Sequence, residues 1–147
     1  MTDSDRQLFE CYTRRRSVLV AMGFDSYAEY LRSDLWKTIR KTVLKRDRFR
    51  CRCCRGKATE AHHREYTEES LSGLDTSTIV SVCRACHVSS EFDGIKKVPV
   101  SIANNRMNQK ARALRNADAG RSHTGYRKCR ARCSRAYALA QGITRAP

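Results

Sequence analysis

The sequence predicts an α+β fold: a small two-stranded core stapled by metal-binding knuckles, flanked by N-terminal and C-terminal helices. Three observations point there. All of the eight cysteines except Cys11 fall in close groups, at 51, 53 and 54, at 83 and 86, and at 129 and 133. Apolar residues recur at helical spacing before residue 45 and again after residue 100. Between those stretches a β-favouring run at 78–82 and a cluster of turn residues break the helical period.

The elements follow in order. From Ser4, the residues Leu8, Cys11, Tyr12, Leu19 and Met22 predict a first helix, and Gly23 supplies its stop. Ser26 followed three residues later by Glu29 reads as a capping box, opening a short helix through Tyr30 and Leu31. Leu35, Trp36, Ile39, Val43 and Leu44 make one apolar stripe, with Lys37, Arg40, Lys41 and Lys45 off it. A third helix therefore packs by its stripe and shows a basic face. The run 78–82 and the segment ending Ala61-His62-His63 form a hairpin whose loop holds Ser70, Ser72, Gly73 and Asp75. Pro99 marks a boundary. Residues 101–119 read as a helix with Ala103, Met107, Ala111 and Leu114 on one side and Gly120 at its end; a last helix spans 124–141, with Tyr126, Cys129, Cys133, Tyr137 and Ala140 on one stripe. The chain divides into an N-terminal helical extension 1–34, a core 35–98 and a basic C-terminal extension 99–147.

Charge narrows the function. The 147 residues carry 30 Lys and Arg against 15 Asp and Glu, a net charge of +15. Residues 35–64 hold net +9 and residues 96–147 net +12, on either side of an acidic segment 65–95 of net −5. Two dense basic blocks in a short chain favour a polyanionic partner, most often nucleic acid. No apolar run approaches the ~18–20 residues that cross a bilayer, and the acidic start Met-Thr-Asp-Ser-Asp is unlike a secretory signal. These features predict a cytoplasmic chain with no membrane partner. In a reducing compartment, closely paired cysteines read as metal ligands rather than disulfides.

Cys51-Arg-Cys-Cys54 and Cys83-Arg-Ala-Cys86 are two Cys-x-x-Cys pairs. Each turns two thiolates inward from one tight turn, and two such knuckles complete a tetrahedral Zn²⁺ site. Cys53 is a bystander between ligands. The 28 residues separating the knuckles exceed the spacer of a simple zinc ribbon and carry His62 and His63, while His87 follows the second knuckle directly. A histidine on the strand and another on the following helix can converge on a second metal, leaving the adjacent histidine to face a substrate. Cys-x-x-Cys-His also spells a haem attachment, a reading that leaves the first knuckle unexplained. Arg106 and Lys110, then Arg127, Lys128 and Arg130, give the C-terminal helices basic faces suited to phosphate. Cys129 and Cys133 read either as small buried thiols or, with Cys11, as part of another metal site.

The segments Trp36-Lys-Thr-Ile-Arg40, Val43-Leu-Lys-Arg-Asp47, Cys51-x-x-Cys54, Ala61-His-His63 and Cys83-x-x-Cys86-His87 resemble the HNH nucleases of the ββα-metal (His-Me finger) class, in the form with a Cys₄ zinc. The resemblance covers about residues 27–92. It implies a ββα-metal core and a metal-dependent endonuclease that cuts or nicks double-stranded DNA. It also implies that His62 and His87 bind a catalytic divalent cation such as Mg²⁺, with Mn²⁺, Ni²⁺ or Zn²⁺ as alternatives. His63 is then the general base, and Cys51, Cys54, Cys83 and Cys86 hold structural zinc. Thr78 stands where the family has an asparagine that braces the loop orienting the base; threonine offers one hydrogen bond there. Lys37, Arg40, Lys41 and Lys45, with the C-terminal cations, would grip the DNA backbone. Two other functions stay open: a catalytically impaired zinc-stapled DNA-binding module, and a nuclease subunit active only within a larger phage or restriction assembly. A homodimer is neither required nor excluded.

Overall fold

The computed structural model describes residues 2–119. The fold is α+β: six helices and two small antiparallel sheets among the described residues. The helix expected at 124–141, with Arg127, Lys128, Arg130, Cys129 and Cys133, lies outside the described residues.

Helix α1 (Asp3–Ala21) opens on a reciprocal capping box between Thr2 and Asp5 and ends where Gly23 turns left-handed at φ +87°. Helix α2 (Tyr27–Arg32) starts at Ser26, whose hydroxyl accepts from the Glu29 amide, while the Glu29 carboxylate accepts from Asp25 N rather than from Ser26 itself. Ser33 then serves two helices. Its Oγ donates to Tyr30 O at the end of α2 and accepts from Trp36 N at the start of α3 (Asp34–Arg46). That shared cap sets the sharp α2–α3 corner and buries Trp36, Ile39, Val43 and Leu44, the stripe the sequence marks out.

The C-terminal end of α3 is pinned to the hairpin. Arg46 donates to Thr76 O and Ile79 O, each at 2.7 Å, and also clasps the Asp47 carboxylate. Asp47 in turn accepts from Ser81 N at 3.0 Å. Strand β1 (Glu60–His63) pairs antiparallel with β2 (Ile79–Val82), His62 opposite Val80 and His63 opposite Ile79. The loop between them is more ordered than its turn residues suggest. It contains α4 (Glu68–Ser72), capped by Thr67 and ended by Gly73. Helix α5 (Arg84–Glu91) leaves β2 through Cys83, and a two-residue hairpin, β3 (Phe92–Asp93) with β4 (Lys96–Lys97), leads to α6 (Val100–Ala119).

Two buried clusters hold the elements together. One gathers Leu19, Tyr30, Trp36, Ile39, Val43, Ala61, Tyr66, Leu71 and Ile79, so the N-terminal helices share the core of the segment 35–98. The other surrounds the cysteines with Leu44, Val80, Val82 and, from α6, Met107. No helix among the described residues is long and apolar enough to cross a membrane.

Gly73 is where backbone and packing constraints meet. Its φ is +81°, and a Cβ there would lie 2.7 Å from Ile39 Cγ1. Gly73→Ala is expected to destabilise the fold by about 2–4 kcal/mol, combining left-handed strain with overpacking against α3. Urea denaturation followed by circular dichroism measures it, and a loss under about 0.5 kcal/mol would contradict this packing.

Candidate functional site

The two knuckles converge as their spacing predicts. Cys51, Cys54, Cys83 and Cys86 place their sulfurs within 4.8 Å of one another, with Cys54 Sγ and Cys83 Sγ 3.7 Å apart. Tetrahedral metal–sulfur bonds of about 2.3 Å put sulfurs about 3.8 Å apart, so the donor set fits Zn²⁺. The first knuckle is a turn closed by Cys51 N to Gly56 O and Arg55 N to Cys51 O, both 2.8 Å. The second is the N-terminus of α5, where Cys83 Sγ accepts from Cys86 N. Hydrogen bonds, first from Cys53 and then from Cys54, Cys83 and Cys86, hold the Cys51 thiol far below its usual range, favouring the thiolate that ligates metal. Cys53 itself is raised to about 12, chiefly by its bond to Cys51. It is a protonated thiol packed toward Met107 O, consistent with a bystander.

Alternation along β1 sends its two histidines to opposite faces. Both are 2% exposed. His62 turns toward α5 and α6, where His62 Nδ1, His87 Nε2 and Glu91 Oε1 form a triangle with sides of 3.2, 3.3 and 3.4 Å. Donors about 2.1 Å from one ion lie about 3.0 Å apart in octahedral and about 3.4 Å in tetrahedral geometry, so the triangle is the size of a single divalent cation's ligand face. Glu91 is a candidate third donor beside the two histidines that the sequence motif marks out. Its spacing from His87, four residues on one helix, was the available signal.

The far nitrogens orient the rings. His87 Nδ1 is 2.7 Å from Glu60 Oε2, and His62 Nε2 is 3.3 Å from Asn104 Oδ1. Asn104 Nδ2 donates to Arg64 O at 2.7 Å, which fixes its oxygen toward His62. Each histidine thus has an outer partner that would accept its one N–H and leave the other nitrogen toward a metal once an ion displaces the proton. Burial works against a charge on His87, but hydrogen bonds to Glu60 and Glu91 raise it to about 9. Burial likewise pushes Glu91 up, yet the bonds from His62 and His87 and the charges of His87 and Lys97 hold it well below the carboxylate range. Lys97 Nζ stands 3.4 Å from Glu91 Oε2.

His63 turns the other way, into an aromatic cage. Its ring stacks on Trp36 at 4.5 Å between centroids and lies near Tyr66 and Tyr30, with Nε2 3.4 Å from the Tyr30 hydroxyl. The Arg15 guanidinium sits over Tyr27 at 3.9 Å and closes the cage from α1. His63 still lines the same cleft as His62, His87 and Glu91, a space of about 270 Å³ also bounded by Arg40 and Lys97. Burial above all, then the charges of His62, Arg15 and His87, lowers His63 to about 3.

Other expected residues are placed differently. Thr78 Oγ1 is buried and has no hydrogen-bond partner, so the single bond expected from it is not made; the strand end is held instead by Arg64 N to Thr78 O. Arg106 donates to Phe92 O and pairs with Asp93, and Lys110 donates to Ser89 Oγ and Ser90 Oγ. Arg106 therefore ties α6 to β3, and Lys110 ties it to the end of α5. Lys37 pairs with Asp34, Arg40 donates to Thr59 O, and Lys41 and Lys45 are exposed on α3. No family model, curated protein or solved structure matches the chain.

The His63 environment has a pH signature. Its folded value lies below the ordinary 6.5, so the unfolded chain binds the proton more readily and stability is lost as pH falls from 6.5 toward 3. Between pH 6.5 and 5, the wild-type unfolding free energy should fall more steeply than that of His63→Phe, the difference in slope approaching about 1.4 kcal/mol per pH unit. Denaturation at a series of pH values measures both slopes; parallel slopes would show that His63 is not held neutral.

Proposed function

We propose that the chain is a metal-dependent endonuclease of the HNH type that hydrolyses DNA phosphodiester bonds, with a structural zinc on Cys51, Cys54, Cys83 and Cys86. The observation that carries the reading is the cation-sized triangle of His62, His87 and Glu91, set beside His63 in one cleft of a strongly basic chain. A hairpin followed by α5, with four clustered cysteines at its root, supports the reading because it is compatible with a ββα-metal core.

Phosphodiester hydrolysis needs an activated water and relief for negative charge growing on the phosphate. His62, His87 and Glu91 would hold a divalent cation, which would supply that relief when bound; two histidines with one carboxylate suit Mn²⁺ or Zn²⁺ as well as Mg²⁺. His63 is neutral at cellular pH, the protonation state that accepting a proton from an attacking water requires. Its aromatic cage holds the ring in place. Arg40 and Lys97 on the cleft rim hold phosphate oxygens, and Lys97 is kept there by Glu91. Lys41 and Lys45, exposed on α3, extend the grip along the backbone.

A second reading, a zinc-stapled DNA-binding module without catalysis, is favoured by two features of the same site. His63 Nε2 faces the Tyr30 hydroxyl, and the Thr78 hydroxyl braces nothing.

Nicking of supercoiled plasmid with Mg²⁺ or Mn²⁺ separates the two. The wild type is expected to nick, His63→Ala to be about 10²–10⁴-fold slower, and Glu91→Ala to need more metal for half-maximal rate. Equal rates for wild type and His63→Ala would remove the base from the mechanism. No cleavage by the wild type with any of the metals would leave the binding module. Elemental analysis should give one zinc per described cysteine cluster, retained in Glu91→Ala and reduced in Cys54→Ser.

A further inference from the structure

We propose that the chain holds nucleic-acid backbone on a second surface, an arginine track that runs from the first knuckle onto α6, away from the cleft. A hollow of about 870 Å³ beside β2 is lined by Arg46, Arg48, Arg50, Arg52 and Arg55 against a single acid, Asp47. None of its lining residues borders the cleft of His62, His63 and His87.

The five guanidiniums divide by what they already hold. Arg46 is engaged with Asp47 and two backbone carbonyls, and Arg55 pairs with Asp118. Arg48, Arg50 and Arg52 are exposed and make no side-chain hydrogen bond or ion pair among the described residues. The track continues, because Arg52 also borders a neighbouring hollow with Arg112 and Arg115 of α6. Those two are likewise exposed and unpaired among the described residues. Five guanidiniums unpaired among the described residues, on adjoining hollows, match a polymer of phosphates better than a single anion. Arginine is also the cation that meets phosphate oxygens in a two-pronged hydrogen bond.

The backbone favours the same conclusion. Arg48 lies at φ +53°, a left-handed conformation that glycine adopts with less strain. An arginine side chain at this turn adds charge to the groove that glycine would not. The track is anchored where it stands, since Arg52 N donates to Ser81 O and the Cys51–Cys54 turn is closed by the cysteine cluster.

This inference shares only the nucleic-acid substrate with the proposed function, and binding reads it separately from cleavage. The test uses the His62→Ala chain, which keeps the cysteine cluster and removes a cation ligand, with a labelled 20-base-pair DNA duplex and a labelled 20-nucleotide single strand. In that background, Arg48→Asn with Arg50→Gln and Arg52→Gln should weaken binding and reduce the slope of log affinity against log salt by about 2–3. Arg50→Gln with Arg52→Gln alone, at ordinary backbone angles, should reduce it by about 2. Unchanged zinc content and thermal midpoint show that the variants fold. A loss on the duplex, on the single strand or on both supports the track and identifies the form it holds. Unchanged affinity and slope on both probes would overturn it. A wild type that binds through the track yet never nicks plasmid leaves this inference standing and removes the nuclease reading.

Discussion

The antiparallel register of β1 on β2 governs everything around the candidate site. With Glu60 opposite Val82, the chain leaves β2 at Cys83, so the second knuckle begins where the strand ends and becomes the N-terminus of α5. One turn into that helix comes His87, and one turn further Glu91. The same register places His62 where it meets both. A slip by one residue would exchange His62 and His63 between faces, sending the metal-side histidine into the aromatic cage. The clamp of Arg46 and Asp47 on Thr76, Ile79 and Ser81 opposes that slip from outside the hairpin.

The two faces of β1 therefore present two chemistries from adjacent residues. On one, carboxylates and an asparagine surround His62 and His87 and stabilise charge. On the other, Trp36, Tyr30 and Tyr66 surround His63 and exclude it. The difference in pKa, His87 raised to about 9 and His63 lowered to about 3, follows from hydrogen-bonding carboxylates in the first case and burial beside cations in the second. Helix α1 takes part through Arg15, whose charge over the cage adds to the burial of His63. Helix α2 supplies one wall of the cleft through Tyr27 and Leu31.

Much of the fold was legible where a periodic pattern and a stop signal coincide. The stripes of α3 and α6 and the left-handed Gly23 after α1 lie where the pattern places them, because amphipathic spacing and a glycine stop are local properties. The cluster of four cysteines was legible for a similar reason, since a Cys-x-x-Cys turn fixes its own geometry. Short elements were not: α4 and the β3–β4 hairpin are too brief to show a period. Glu91 was overlooked because a single carboxylate four residues after a histidine is common on helices, and only the approach of β1 brings it together with His62. Arg106 and Lys110 show the opposite case. Their charge is visible in the sequence, but the groups that engage it, Phe92 O and Asp93 for one and the Ser89 and Ser90 hydroxyls for the other, are not.

By itself the sequence determined the helices, the pairing of cysteines into two knuckles and an excess of positive charge, all set by spacing within a few residues. Only the tertiary structure decided which groups share an environment. It brought Glu91, Glu60 and Asn104 to the histidines from positions up to 42 residues away in the chain. It also sorted the cations into those bound internally and those left facing outward. Contacts of that kind depend on how α5 and α6 pack against the hairpin, a long-range outcome that no local pattern of residue types encodes.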